Sequence, residues 1–160
     1  MANDKVYVIS TVNGQIGVTL PEYHFRKEWT KKGQKLLIDK EMVENMMYDP
    51  GAEYMFRTGM LYIEDMEVKK DLGLEPEDAT EPQNIIVLSE KDMRRYLTVL
   101  PIHEFKTKVD ELSREQQKNM VDFAVENEIM PSYDKVDYLK SKTDLDILNM
   151  IRLNRQNKEV

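Results

Sequence analysis

The sequence predicts an α+β protein, with a β-rich N-terminal lobe followed by an all-helical C-terminal lobe. Three observations carry that prediction. β-branched runs and turn pairs fill the first 40 residues. Helical stripes with capping signals take over from Ser89. Between them, Leu74–Pro82 (LEPEDATEP) is an acidic, proline-bearing stretch suited to a connector. The lobes are therefore placed at residues 1–88 and 89–160, joined across 74–88.

In chain order, Lys5 to Val12 favours a strand by its β-branched content. Asn13-Gly14 suits a type I′ turn, whose two central positions both need positive φ. Gln15 to Leu20 then returns as the second arm of a predicted hairpin, and Pro21 ends it. His24 to Thr30 and Gln34 to Ile38 follow as strands around a Lys32-Gly33 turn. Asp39 is placed to cap a helix over 40–48 by accepting a backbone N–H bond. Met42, Val43, Met46 and Met47 form its apolar stripe. Asp49-Pro50-Gly51 stops that helix.

Ala52 to Phe56 is predicted as one helical turn or a tight loop, and Met60 to Glu64 as a strand. A short helix over 65–72 ends at Gly73 as its C′ residue. Ile85-Ile86-Val87-Leu88 is apolar throughout and suits a buried strand or a seam between lobes.

In the second half, Ser89-Glu90-Lys91-Asp92 and Ser113-Arg114-Glu115-Gln116 have capping-box spacing. Met93, Tyr96, Leu97 and Leu100 share one face, as do Ile102, Phe105, Val109 and Leu112. The next helix turns Met120, Phe123 and Ala124 inward. Pro131 separates it from a helix over 133–140, and the last helix runs from Asp144 to about Asn157.

Composition narrows the functional classes. The chain has 160 residues, 41% hydrophobic and 33% charged, which is a globular balance. Cysteine is absent, so thiol nucleophiles, disulfides and thiolate metal sites are excluded. No apolar run reaches the roughly 20 residues of a membrane helix. MANDKVYVIS lacks the long apolar segment of a secretory signal. The net charge is −7, and residues 1–88 contribute most of it, with 10 bases against 16 acids. That balance disfavours a strong grip on nucleic acid.

His24 and His103 have no triad context, and His103-Glu104 lacks the i, i+4 spacing of a zinc helix. Asp144-Leu145-Asp146 could hold a divalent ion but reads first as acids complementing a helix dipole. No Walker loop or G-x-G-x-x-G is present. No metal, no cofactor and no catalytic residue is expected, and the chain is not expected to be an enzyme. Glu75, Glu77, Asp78 and Glu81 read first as a solvated linker and second as a surface for a basic partner. Arg94, Arg95, Arg152 and Arg155 are the candidates for phosphate contact, after a stabilising role at helix ends.

Two segments are candidates for protein contact. In the last helix, Leu145, Ile147, Met150 and Leu153 spread around the axis at 100° per residue, with Leu148 and Ile151 between them. Such a helix needs cover on several sides, from its own lobe or from a neighbouring chain. In the first lobe, six of the 11 methionines fall between Met42 and Met66, a composition that fills core gaps or builds adaptable surfaces. Trp29, Tyr54, Met55 and Phe56 are the anchor candidates there. Phe56 is placed first in the core, and Trp29, among charged neighbours, at a boundary.

The segments WTKKG (29–33) and YDPGAEYMFRTGMLYIEDMEVKKDLGLEPED (48–78) resemble uncharacterised small proteins of tailed bacteriophages of gut Firmicutes. The likeness extends through Leu88 into the helical half. It implies a setting rather than an activity: a virion or host cytoplasm, with particle assembly or host takeover as the task. Partners would be other virion or assembly proteins and further copies of the chain, with no membrane. The alternatives are a regulator or inhibitor of a host protein and a nucleic-acid-binding accessory protein.

Overall fold

The computed structural model describes residues 4–158. Strand β1 (Lys5–Ser10) is the centre of the first unit, and its alternation sets the architecture. Val6, Val8 and Ser10 point into the core, whereas Lys5, Tyr7 and Ile9 point the other way. Strand β4 (Lys35–Asp39) pairs with β1 antiparallel along its whole length, from Lys5 opposite Asp39 to Ile9 opposite Lys35. Strand β5 (Leu61–Tyr62) takes the other side of β1, giving a three-stranded sheet ordered β4-β1-β5.

Both sides of β1 are thus occupied, and the hairpin predicted across Asn13-Gly14 does not form. Gly14 has φ 86°, but Asn13 is not among the positive-φ residues, so a type I′ turn is not made. The hairpin of this unit lies one strand later. Strand β2 (Ile16–Leu20) pairs antiparallel with β3 (Phe25–Trp29) as a separate two-stranded sheet. The 3-10 turn Pro21–Tyr23 joins them, closed by His24 in the left-handed region.

Helix α1 (Lys40–Met46) starts at Asp39, whose side chain makes no capping bond, contrary to the expectation. Helix α2 (Pro50–Arg57) is longer than the single turn predicted. Asp49 accepts the Ala52 N–H at 2.9 Å, and Pro50 at the first position is preorganised for a helix. Asp49-Pro50 therefore ends one helix and starts the next. β5 is shorter than predicted. The chain leaves the sheet at Ile63 so that Asp65 can accept the N–H groups of Glu67 and Val68 and open helix α3 (Met66–Asp71). Gly73 follows α3 with φ 75°.

The strand alternative for Ile85 to Leu88 fails, whereas the boundary between the two units does fall within this segment; Ile85 is buried and the other three are half-buried. Trp29 is fully buried rather than at a boundary, and its indole Nε1–H donates to the Val8 carbonyl at 2.9 Å. Its charged neighbours Arg26 and Lys27 lie exposed along β3. The core gathers Val8, Trp29, Val43, Met46, Phe56 and Leu61, with Met42, Met47 and Met55 packed against it.

Intrachain contacts divide the protein into two compact units at Val87 and Leu88. The second unit is all helical among the described residues: α4 (Glu90–Thr98), α5 (Ile102–Asp110), α6 (Arg114–Glu126), α7 (Tyr133–Thr143) and α8 (Ile147–Lys158). Ser89 and Ser113 cap α4 and α6 by accepting the N–H groups of Asp92 and Gln116. The predicted stripes are buried: Met93 and Leu97 on α4, Phe105 and Val109 on α5, Met120, Phe123 and Ala124 on α6. Lys135 is buried as well. Its ammonium donates to the Tyr96 carbonyl at 2.9 Å and the Leu97 carbonyl at 3.3 Å, satisfying acceptors that α4 leaves free at its C-terminal end.

Candidate functional site

The outer face of the three-stranded sheet is where this protein exposes organised apolar surface. Tyr7 and Leu37 stand directly opposite each other on β1 and β4, 58% and 47% exposed. Ile9, half-buried, lies opposite Lys35 on one side and Tyr62 on the other. Where β5 departs from β1, a cavity of about 240 Å³ opens, lined by Tyr7, Ile9, Lys35, Glu64 and Val68 among others. Lys35 and Glu64 form an exposed ion pair at 3.5 Å on its rim.

Tyr62 is held from below. The Lys69 ammonium lies 4.8 Å from the centre of its ring and 3.5 Å from its hydroxyl. Lys69 is almost entirely buried. Burial lowers its pKa, and the nearby carboxylates of Glu75, Asp65 and Glu64 pull it back up. Burial raises the pKa of the Tyr62 phenol, and Glu64 and Glu75 raise it further.

Glu75 belongs to the stretch read as a solvated acidic linker, yet it is buried. Its Oε1 accepts the N–H groups of Gln83 at 3.1 Å and Asn84 at 2.7 Å, and its Oε2 accepts the N–H of Ile85 at 3.2 Å. Asn84 donates in turn to the Leu74 carbonyl. The stretch is a closed loop folded around one carboxylate. Glu77, Asp78 and Glu81 remain exposed, as a linker reading would have them.

The sequence-derived anchors fall into two groups. Trp29, Phe56 and Ile147 are core residues of their units and are not available for docking. Tyr54 is 53% exposed on α2, with Met55 half-buried beside it. The last helix starts at Ile147 rather than at Asp144, so Leu145 lies half-buried in the segment before it; on α8 itself Ile147 and Ile151 are buried, Leu148 and Met150 are half-buried, and Leu153 is exposed. The second unit thus supplies most of the cover that the all-round apolar helix demands.

Each arginine candidate has a local partner. Arg94 lies over the Phe123 ring and Arg95 over the Tyr96 ring, 5.6 and 5.2 Å from their centres. Arg152 donates to Asn149, and Arg155 pairs with Glu128 at 3.1 Å. Asp146 accepts the Asn149 N–H at the start of α8, and Asp144 faces Arg114, so these acids are engaged within the fold. No group of three potential metal ligands occurs among the described residues. No described helix is long and apolar enough to cross a membrane.

The sheet face was missed at the sequence level, although a signal existed. Val6-Tyr7-Val8-Ile9 is apolar at four consecutive positions, so a strand there must show apolar side chains on both faces. Comparison with protein-family models, with curated proteins and with solved structures gives no match to this chain.

Proposed function

We propose that this chain works by protein–protein contact, as a structural or assembly component of a tailed-phage particle present in several copies. The Tyr7–Leu37 face of the sheet is its docking surface, and a neighbouring particle protein is the occupant. The observation that carries this reading is the cross-strand pair itself. A tyrosine and a leucine stand exposed on two paired strands whose other face packs into the core, so the surface is ordered before it meets anything. A preorganised aromatic anchor loses little freedom on binding. Lys5, Lys35, Asp39 and Glu64 supply a rim of both signs, which suits partner selection rather than raw affinity. The particle setting rests on the resemblance of segments 29–33 and 48–78.

The test is quantitative proteomics of purified particles, with Tyr7→Ser as the variant. The wild-type chain should be present in a constant copy number. Tyr7→Ser should fold normally yet be incorporated at least about tenfold less, the weight of a lost interface anchor of about 1.4 kcal/mol or more. Absence of the wild-type chain from particles overturns the reading. So does binding to nucleic acid with an affinity that falls steeply with salt.

A further inference from the structure

Strand β4 has one partner, β1, and so presents an open edge. Which backbone groups face that edge follows from the ladder. Ser10 N–H donates to the Gln34 carbonyl, and Lys40 N–H donates to the Asp4 carbonyl. Both bonds fit the same register, and hydrogen-bonded pairs alternate in an antiparallel ladder. Leu36 and Ile38 therefore turn their backbone groups toward β1. Lys35, Leu37 and Asp39 turn theirs outward.

We propose that two copies of this chain pair through the β4 edge, antiparallel and centred on Leu37, so that one sheet runs continuously across both. Three independent features select this register. The first is parity: the outward-facing residues 35, 37 and 39 meet only one another, as hydrogen-bonded pairs require. Leu37 and its copy exchange two bonds, and each Asp39 N–H reaches the Lys35 carbonyl of the other chain. The Asp39 carbonyl is left to begin α1.

The second feature is charge. Lys35 of each copy falls opposite Asp39 of the other, and opposite charges on directly facing residues stabilise a strand pair. The third is apolar match. Leu37 meets Leu37 on the outer face, while Leu36 meets Ile38 on the inner one. Shifting by two residues in either direction sets a charged residue against Leu37 and loses both Lys35–Asp39 pairs. Strand β3 illustrates the contrast. In its own centred register Lys27 would face its copy, and Arg26 is already paired with Glu28 within the chain at 2.6 Å. Open edges recruit strands, and the sequence Lys-Leu-Leu-Ile-Asp is self-complementary when read against itself.

The pairing deepens the reading above, because it sets two Tyr7–Leu37 faces side by side, but its test is separate. Sedimentation velocity on the full chain should show a reversible dimer of twice 18.9 kDa, with a dissociation constant of roughly micromolar size, as small strand-edge interfaces have. Leu37→Pro removes an outward N–H, a position where an edge strand accepts proline, and should give a monomer with unchanged circular dichroism. Lys35→Asp and Asp39→Lys should each weaken the dimer at least about tenfold, and the double variant should restore it. Neither the Lys35–Glu64 ion pair nor the Lys5–Asp39 neighbourhood within the chain is restored by the double change, so recovery reports the contact between copies. Leu37→Cys, in a chain otherwise free of cysteine, should oxidise to a covalent dimer, since hydrogen-bonded antiparallel partners lie about 5.5 Å apart.

A wild-type chain that stays monomeric up to about 100 µM, far above micromolar affinity, overturns the proposal. So does a dimer indifferent to Leu37→Pro, or a double variant that fails to recover. A purified dimer that is absent from particles would leave the pairing standing and overturn the particle reading. A monomer incorporated in constant copy number would do the reverse.

Discussion

Replacing Glu75 tests whether one carboxylate holds the loop from Pro76 to Ile85. Glu75→Ala removes the acceptor from three backbone N–H groups at once. The Ile85 bond is buried, so its donor is stranded, at a cost of about 1–3 kcal/mol. The Gln83 and Asn84 donors are part-buried and regain some water, so each loses about 0.5–1.5 kcal/mol. Taken at the middle of each range, the combined loss is about 4 kcal/mol. Trp29 is the sole tryptophan and is sealed in this unit, so its fluorescence follows the first unit alone. With a urea slope of about 2 kcal/mol per molar, the midpoint should fall by about 2 M.

Glu75→Gln should lose roughly half of that, because its amide oxygen still accepts while its NH₂ faces a donor. Glu77→Gln and Glu81→Gln, both exposed, should leave the midpoint in place. A Glu75→Ala midpoint within about 0.5 M of wild type, less than about 1 kcal/mol on that slope, would refute the loop account.

Four further substitutions follow from individual side-chain contacts. Trp29→Phe loses the bond to the Val8 carbonyl and leaves a gap in the first core; circular dichroism in urea should show a loss of about 2–3 kcal/mol. Ser113→Ala and Ser89→Ala should each destabilise the second unit by about 1 kcal/mol in the same assay, through one lost capping bond. Lys135→Met leaves the Tyr96 and Leu97 carbonyls without their ammonium and should cost about 1–3 kcal/mol at neutral pH. Burial lowers the Lys135 pKa below its ordinary value. The unfolded chain therefore keeps this proton to higher pH than the folded one, and folding gains stability as pH rises from the folded pKa to about 10.4. Wild type should gain on Lys135→Met across that alkaline window, and a difference that stays flat or shrinks would contradict the sign.

What was legible in the sequence was local. Ser89 and Ser113 announce their helices because a cap and its N–H lie three residues apart. Met93, Tyr96 and Leu97 reveal their face through a 3.6-residue period, and Phe56 its burial through an apolar setting. What failed was nonlocal. Asn13-Gly14 is a strong turn pair, but β1 is claimed by β4 and β5 from 25 or more residues away. Glu75 resembles its exposed neighbours in the charge run and differs only in meeting three N–H groups 8 to 10 residues on. Trp29 sits among charges along the chain while its indole reaches back to Val8. The sheet face needed the strand order before Tyr7 and Leu37 could be seen as neighbours.

The reach of Lys135 to the end of α4 also has a consequence for synthesis. Tyr96 and Leu97 leave the ribosome long before residue 135 does, so α4 emerges with its last turn unfinished. Those two carbonyls stay with water until α7 brings Lys135 to them. The first unit has longer-range pairings of its own, such as Ile9 with Tyr62, but its last strand ends at Tyr62 and its carboxylate clasp closes at Ile85, ahead of the helical unit in the chain. The nascent chain can therefore complete its N-terminal half while the helical half is still being translated.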